Sequence, residues 1–296
     1  MDDDAIQSYK RAGKIAKEAL GLARELAKEG ASLIGLAEEV EGLIRSRGAK
    51  CAFPINICIN SQAAHYTPAE KDPLRFARGD LVKLDVGVHV NGFIADTAAT
   101  VEISTSNWTS LIRASSEALD AALEMIVPGI EVGSIGAAIE NAISARGFRP
   151  VRNLTGHSME KNNLHAGITV PNVALRDRSR LTSGMAVAIE PFATDGKGEV
   201  GDGKNGNIFR VVRKQGILRS DSNPFLEALV REFDHLPFAS RWCATIDKNY
   251  QSLLRKNWMH RSVQGYPILS EVSSGMVSQA EHSIILLDNE AIVYTR

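Results

Sequence analysis

Two aspartates in the segment 81–103 could bring carboxylates together at one point. Asp85 and Asp96 lie in two runs of alternating apolar residues, which the dipeptide Asn91-Gly92 separates. Such a dipeptide between alternating runs predicts a β-hairpin with a two-residue turn of the primed type. We therefore expect antiparallel strands at 81–90 and 93–103, with a defined register between them.

That register decides whether the two carboxylates meet. With Val90 opposite Phe93, Gly87 lies opposite Asp96, and Asp85 projects from the same face as a diagonal neighbour. Diagonal positions are roughly 7–8 Å apart at the backbone and closer at the side chains. The two carboxylates can then converge, and Gly87 is expected to leave room for whatever they hold.

Buried carboxylates at this spacing allow more than one chemistry. They can share a proton, pair with bases or bind metal, and a pair on one face could also act as general acid and base, as in glycosidases. Further ligands favour metal: His157 follows a glycine in a predicted loop entering the core, Glu190 ends an apolar strand, and Glu281 begins another. Each also has a purely structural interpretation. The histidine would be a core residue whose hydrogen bonds are satisfied, and the glutamates would face solvent.

Four carboxylates and one imidazole suit a site for two divalent ions. Manganese, iron and cobalt have the intermediate hardness that this donor set prefers, zinc is a further candidate, and the lack of thiolates argues against a structural zinc site. Cys51, Cys58 and Cys243 have neither the paired spacing of a zinc site nor a disulfide plan. We expect them to be core or surface thiols.

The elements that position these residues begin with helices. Apolar positions at helical spacing predict a helix over 4–29 that ends at Gly30, and a second one from Ser32 as N-cap to Gly48. Residues 19–48 also align without a gap on residues 118–147, which indicates a duplicated helix-turn-helix at the start of each half. Chance similarity of two helical hairpins is the alternative interpretation.

Strand-like alternation follows each helical pair, at 81–90, 93–103, 185–194 and 276–287. Helices combined with such strands predict an α+β fold. A Gly-rich start and two helical runs set residues 196–262 apart from the strands on either side. We predict a catalytic domain formed by 1–195 and 263–296, with 196–262 as a small inserted helical domain.

The set of candidate ligands resembles a known family. Asp85 in KLDVG, Asp96 in ADTA, His157 in LTGHS, Glu190 in AIEPF and Glu281 near the carboxyl end have the order and approximate spacing of the five metal ligands of methionine aminopeptidases. The resemblance covers nearly the whole chain. It implies the pita-bread (creatinase/aminopeptidase-like) fold with pseudo-two-fold halves, and by position Asp96 and Glu281 would bridge two ions.

The resemblance also implies roles beyond metal binding. Glu190 would act as general base beside a bridging water, while His65 and His165 would hold the substrate and stabilise the tetrahedral intermediate. Phe53 is a candidate for the pocket that takes the methionine side chain. The family hydrolyses the N-terminal methionine of nascent proteins when the second residue is small.

Several segments resemble the type II branch of archaea and eukaryotes. They are AAHYTP with His65, LTGHSMEKNNLHAG with His165, LPFASRW at 236–242, and the insert, which is similar to a winged-helix insertion. The run Lys161-Asn162-Asn163 departs from the pattern of that branch. The resemblance therefore does not define the shape of the substrate pocket.

Charge and hydropathy narrow the choice of partners and location. A formal net charge of −1 argues against a dedicated nucleic-acid binder, and no apolar run approaches the length of a membrane span. We expect a cytoplasmic enzyme whose partners are the N-terminal segments of nascent proteins, with the ribosome as a further candidate. A proline-specific aminopeptidase of the same fold and a non-catalytic pita-bread binding protein are the alternatives.

Overall fold

A helical hairpin opens each half of the chain. The computed structural model describes residues 1–212 and 223–296, so the part of the predicted insert at 213–222 lies outside the described residues. The α-helices of the described residues are α1 (Asp3–Leu26), α2 (Leu33–Ser46), α3 (Thr109–Glu124), α4 (Val132–Ala145), α5 (Pro224–Phe233) and α6 (Tyr250–Met259).

Strands follow each hairpin and form four sheets within the described residues. They are β1 (Lys50–Ile59), β2 (Gln62–Ala64), β3 (Leu81–Val90), β4 (Phe93–Glu102), β5 (Arg149–Pro150), β6 (Thr155–Met159), β7 (Thr169–Pro171), β8 (Ala186–Ile189), β9 (Phe192–Thr194), β10 (Val200–Val211), β11 (Phe238–Ala239), β12 (Val263–Glu271), β13 (Val277–Gln279), β14 (His282–Leu286) and β15 (Ala291–Val293). The strand orders are β1-β3-β4, β15-β14-β8-β6-β7, β13-β9-β5 and β11-β10-β12-β2. The α+β prediction is confirmed.

The internal repeat extends to individual contacts. Helix α4 begins and ends 99 residues after α2, since Leu33 corresponds to Val132 and Ser46 to Ala145. At the same offset, an ion pair between Arg47 and Glu18 recurs between Arg146 and Glu117. Gly30 and Gly129, which the alignment pairs, both take left-handed φ angles, of 79° and 93°. The two halves are therefore built on one plan.

The first helix ends earlier than the sequence indicates. Helix α1 ends at Leu26 and not at residue 29. The Ala27 N–H donates the last helical hydrogen bond to the Ala23 carbonyl, at 3.0 Å. Gly30 instead donates its N–H to the carbonyl of Phe76 at 2.8 Å. The glycine therefore turns the chain toward a neighbouring segment and does not cap the helix.

The hairpin and its register are as predicted. Val90 pairs with Phe93 and Gly87 with Asp96. Asn91 and Gly92 take φ angles of 54° and 87°, which a primed two-residue turn requires. Asp85 and Asp96 consequently share one face of the sheet.

Two segments predicted as single strands are each broken in two. Residues 185–194 form β8 and β9, with Glu190-Pro191 between them, and residues 276–287 form β13 and β14, with Ala280-Glu281 between them. Strand β8 pairs with β14, whereas β9 pairs with β13 in a different sheet. Alternation of apolar residues reports which face is buried but not which sheet a strand joins. Pro191, which cannot donate a hydrogen bond to a neighbouring strand, was a local signal of the first break.

Two further expectations about local structure were wrong. His157 lies in strand β6, paired with β7 on one side and β8 on the other, and not in a loop. The Gly-rich start of the predicted insert is mostly strand β10, which pairs along its length with β12. Small residues in both segments lower the strand propensity of the sequence, but pairing on both flanks or along a long partner outweighs it.

A separate hydrophobic cluster lies between β10 and β12 in the chain. Helices α5 and α6, together with a 3-10 helix at Ser240–Thr245, contribute to it. Phe225, Leu229, Phe238 and Leu254 are among its buried members. The division of the chain at 196 and 262 stays a prediction. Across the described residues, no helix combines the length and apolar character needed to span a membrane.

Two glycines of α1 should respond in opposite ways to alanine. A Cβ at Gly13 would lie 1.9 Å from the carbonyl oxygen of Tyr294, whereas nothing lies within 4 Å of a Cβ at Gly21. We expect Gly13→Ala to lower the free energy of unfolding by about 1–3 kcal/mol through overpacking. Gly21→Ala should raise it by roughly 0.5–1 kcal/mol because alanine favours the helix.

Urea unfolding followed by circular dichroism measures both changes. Equal stabilities of the two variants would contradict the close packing of α1 against the C-terminal segment.

Candidate metal centre

One cavity of about 230 Å³ is lined by all five candidate ligands. Strands β3 and β4 supply two aspartates, β6 supplies the histidine, and the two strand breaks supply the glutamates. They are Asp85, Asp96, His157, Glu190 and Glu281. The hairpin of the first half and the broken strands of the second half thus meet at this cavity.

The closest cluster contains Asp96, His157 and Glu281. One potential ligand atom of each lies within 4.8 Å of the others. The Nε2 atom of His157 is 3.6 Å from Asp96 Oδ2 and 3.7 Å from Glu190 Oε1. An imidazole nitrogen therefore faces carboxylate oxygens at a spacing that a shared cation could bridge.

The carboxylates are destabilised in their charged forms. Burial raises the pKa of Asp85 to about 7. Burial, and after it the charge of neighbouring carboxylates, raises the pKa of Asp96 and that of Glu281 well above the ordinary range. Burial likewise raises the pKa of Glu190, with a further contribution from Asp85. Like charges that converge in a buried site call for a proton or a cation.

Buried carboxylate oxygen atoms without hydrogen-bond partners favour a cation over a shared proton. Within the described residues, 1–212 and 223–296, no hydrogen-bond partner reaches Asp85 Oδ1, Asp96 Oδ1 or Glu281 Oε1, all of which are buried. Burial, followed by the neighbouring His165, lowers the pKa of His157 to about 3, which keeps this imidazole neutral and able to donate a lone pair. Oxygen ligands with one imidazole and no thiolate fit a divalent metal ion.

Hydrogen bonds between the two halves hold the cluster in place. Glu281 donates its N–H to the Ala98 carbonyl at 3.0 Å and accepts a hydrogen bond from Thr97 Oγ1 at 2.9 Å. Ser283 Oγ accepts from the Asp96 N–H at 2.9 Å and donates to the Asp96 carbonyl at 2.8 Å. The residues next to the candidate ligands are therefore tied across the boundary between the halves.

His65 and His165 line the same cavity. The ring of His165 lies 4.4 Å from that of His157, centroid to centroid. Burial lowers the pKa of His165 to about 4, with smaller contributions from His65 and Arg210, and burial also lowers the pKa of His65. Both imidazoles are consequently neutral at pH 7.

The space above Gly87 is occupied by a side chain. A Cβ at this position would lie 2.2 Å from the ring of Phe53, which lines the cavity. The expectation that Gly87 leaves room for what the carboxylates hold is therefore wrong, because the glycine accommodates the aromatic wall of the pocket. Phe53 lies where the sequence analysis suggested, at the cavity.

Some cavity residues were not found from the sequence. Asn56, Ile208 and Tyr266 line the site, and Asn56 Oδ1 accepts the N–H of His65 at 2.7 Å. The one available signal was a polar residue inside the apolar run FPINICI. Tyr266 and Ile208 come from distant strands whose approach to the site has no local signature.

Residues 7–217 match the family model of metallopeptidase family M24, which is more than half of the chain. The chain belongs to this family of metallopeptidases. It is 42% identical over 298 residues to the methionine aminopeptidase of Methanocaldococcus jannaschii and 41% identical over 296 residues to that of Archaeoglobus fulgidus. Both matches cover 100% of this chain and 100% of the relative. The resemblance to methionine aminopeptidases is thus confirmed over the full length.

Solved structures share the fold. A thermophilic Arx1 superposes with a TM-score of 0.87 at 15% identity, over 99% of this chain and 91% of that one. Methionine aminopeptidase from Thermotoga maritima gives 0.71 at 22% identity, over 100% and 98%. Prolidase from Pyrococcus furiosus gives 0.64 at 19% identity, over 100% and 64%. The predicted pita-bread fold is confirmed.

Metal should stabilise the protein more strongly as pH rises. The folded pKa of Asp85 lies above its ordinary value of 3.8, so in the metal-free protein its contribution to stability is present below pH 3.8 and is lost as pH rises through about 7. A metal ion competes with that proton. We expect the shift in melting temperature caused by a fixed concentration of Mn²⁺ or Co²⁺ to increase from pH 5 to pH 8.

Thermal unfolding with metal and with chelator measures this shift. The variant Asp96→Asn serves as the control, because it should lose most of the shift at every pH. A shift that is independent of pH would contradict the role of the buried carboxylates.

Proposed function

We propose that the protein is a metal-dependent aminopeptidase that hydrolyses the N-terminal methionine of nascent proteins when the second residue is small. The observation that carries the proposal is the buried cluster of Asp96, His157 and Glu281. It lies in a chain that matches methionine aminopeptidases over its full length. Five potential ligands line one cavity, and the resemblance of their order to that of the ligands of methionine aminopeptidases supports two divalent ions.

By resemblance to methionine aminopeptidases, the five residues would divide between two metal positions. Asp96 and Glu281 would bridge the ions, Asp85 would complete one position, and His157 with Glu190 would complete the other. Cobalt, manganese, iron and zinc all suit these donors. When bound, such a pair lowers the pKa of a water molecule and polarises the scissile carbonyl.

Glu190 is the proposed general base. Its carboxylate lies beside the imidazole of His157, at 3.7 Å. In the metal-free site, burial raises the pKa of Glu190. A carboxylate in this position would accept a proton from the attacking water and later release it.

His65 and His165, which are not assigned as metal ligands, have complementary roles. The Nδ1 atom of His65 lies 3.2 Å from the carbonyl oxygen of Pro267, which can only accept a hydrogen bond. In the neutral ring Nδ1 therefore carries the proton and Nε2 is an acceptor, suited to a substrate N–H. His165 then donates an N–H to the carbonyl oxygen on which negative charge develops.

The cavity is suited to an apolar side chain. Phe53, Leu164, Ile208 and Phe192 contribute apolar surface, and Tyr266 lies beside them. A volume of about 230 Å³ accommodates one side chain of the size of methionine together with water. The free amino group of the substrate would bind at the metal position, which restricts cleavage to the terminal residue.

We also assign the chain to the type II branch. The segments around His65 and His165, LPFASRW at 236–242 and the segment between β10 and β12 support this assignment. We further propose that this segment is related to a winged-helix domain. We also propose that the protein is located in the cytoplasm and contacts the ribosome.

Replacement of either His65 or His165 should lower the rate of hydrolysis without loss of metal. We expect His65→Ala and His165→Ala each to reduce kcat by roughly 10²–10³, the effect of losing one hydrogen bond to the reacting group. Metal content, measured by elemental analysis, should stay at the wild-type level. Glu281→Ala is the comparison, since it should lose both metal and activity. Parallel loss of metal and activity in the histidine variants would identify them as ligands.

Three peptides test the proposed function directly. The metal-loaded enzyme is incubated with Met-Ala-Ser, Met-Asp-Ser and Ala-Pro-Ser, and release of the first residue is followed with several metals. We expect rapid release from Met-Ala-Ser alone. Preference for Ala-Pro-Ser would favour a proline-specific enzyme, and no release from any peptide would favour a binding protein.

A further inference from the structure

The backbone of His65 has an unfavourable conformation. Its φ angle is 67°, in the left-handed region that residues with a Cβ rarely occupy. Such a residue persists where the surrounding structure imposes its conformation. Asn56 supplies part of this constraint, because its side chain accepts the N–H of His65.

The residues after His65 are held by hydrogen bonds from a second side chain. Arg241, in the 3-10 helix, donates from Nη1 to Thr67 Oγ1 at 2.9 Å and to the Pro68 carbonyl at 2.8 Å. Thr67 is fully buried. The guanidinium of Arg241 therefore contacts the chain two and three residues beyond the histidine.

Arg241 is itself anchored to the first half of the catalytic fold. Its Nη2 forms an ion pair with Glu41 of α2, and Trp242 Nε1 donates to the other oxygen of that carboxylate at 2.7 Å. The side chains of Arg241 and Glu41 are only 5% and 2% exposed. Because the planar guanidinium has fixed donor directions, it can orient one group relative to another.

We propose that Arg241 is a positioning residue for His65, so that the segment between β10 and β12 aligns a substrate-binding histidine. This inference rests on the proposed function, which gives His65 its contact with the substrate. Two additional hydrogen bonds hold residues 67–70. Asn207 Nδ2 donates to the Thr67 carbonyl at 3.2 Å, and the Tyr250 hydroxyl donates to Glu70 at 2.9 Å.

The role is more specific than general stabilisation. Desolvation of a buried ion pair offsets much of its Coulombic attraction, so the pair adds little net stability compared with apolar packing. Its hydrogen bonds instead determine where the backbone of residues 65–68 lies. A shift of about 1 Å at a reacting group can reduce a rate by 10²-fold.

Thr67 offers a test that leaves the ion pair intact. Thr67→Val removes the hydroxyl with little change in volume, while Thr67→Ser keeps it. We expect Thr67→Val to lower kcat on Met-Ala-Ser about tenfold, with metal content unchanged, and Thr67→Ser to retain most of the wild-type rate. Arg241→Lys, which cannot bridge both partners with one nitrogen, should act in the same direction as Thr67→Val.

A double-mutant cycle separates positioning from a structural effect. In the background of His65→Ala, Thr67→Val should cause no further loss of kcat, because the group that it positions is gone. An equal loss in both backgrounds would overturn the inference, and so would a wild-type rate for both Thr67→Val and Arg241→Lys.

NMR provides a readout that does not need activity. The ring signals of His65, assigned by their absence in His65→Ala, should move in Thr67→Val and stay in place in Thr67→Ser. Unmoved signals in Thr67→Val would overturn the inference. Failure of the wild-type enzyme to cleave Met-Ala-Ser would instead overturn the proposed function, and the NMR signals distinguish the two failures.

Discussion

Burial of four carboxylates in one cavity is the constraint around which this fold is organised. Asp85, Asp96, Glu190 and Glu281 line one cavity, and their raised pKa values show that the charged forms are unfavourable without a counter-charge. Elements from both halves converge there, and hydrogen bonds between Asp96 and Ser283 join them. A bound cation would offset the cost of burying these charges, so the same residues would then hold the two halves together.

Local signals in the sequence were enough to predict the hairpin and the duplication. Asn91-Gly92 determines the turn, the turn determines the register, and the register puts Asp85 and Asp96 on one face. Paired glycines at equal spacing marked the repeat. These features need only neighbouring residues or self-comparison, so no knowledge of tertiary contacts was required.

Tertiary pairing produced the features that the sequence did not show. At Glu190 and at Glu281 the chain passes from one sheet into another, and the neighbouring strands decide which sheet each part joins. The alternation of apolar residues is the same before and after each break. His157 is in a strand because two neighbours pair with it. The contacts of Arg241 with Glu41 and Thr67 join residues 200 and 174 positions apart, for which the chain carries no local signature.

The 99-residue repeat has a consequence for how such a site could arise. Two identical halves assembled as a dimer would present every side chain twice, in matched positions. Here the first half contributes two aspartates, while the second contributes a histidine and two glutamates. Covalent fusion lets the two copies mutate independently. An asymmetric centre, with chemically different side chains from each half, is therefore accessible to one continuous chain and not to a pair of identical ones.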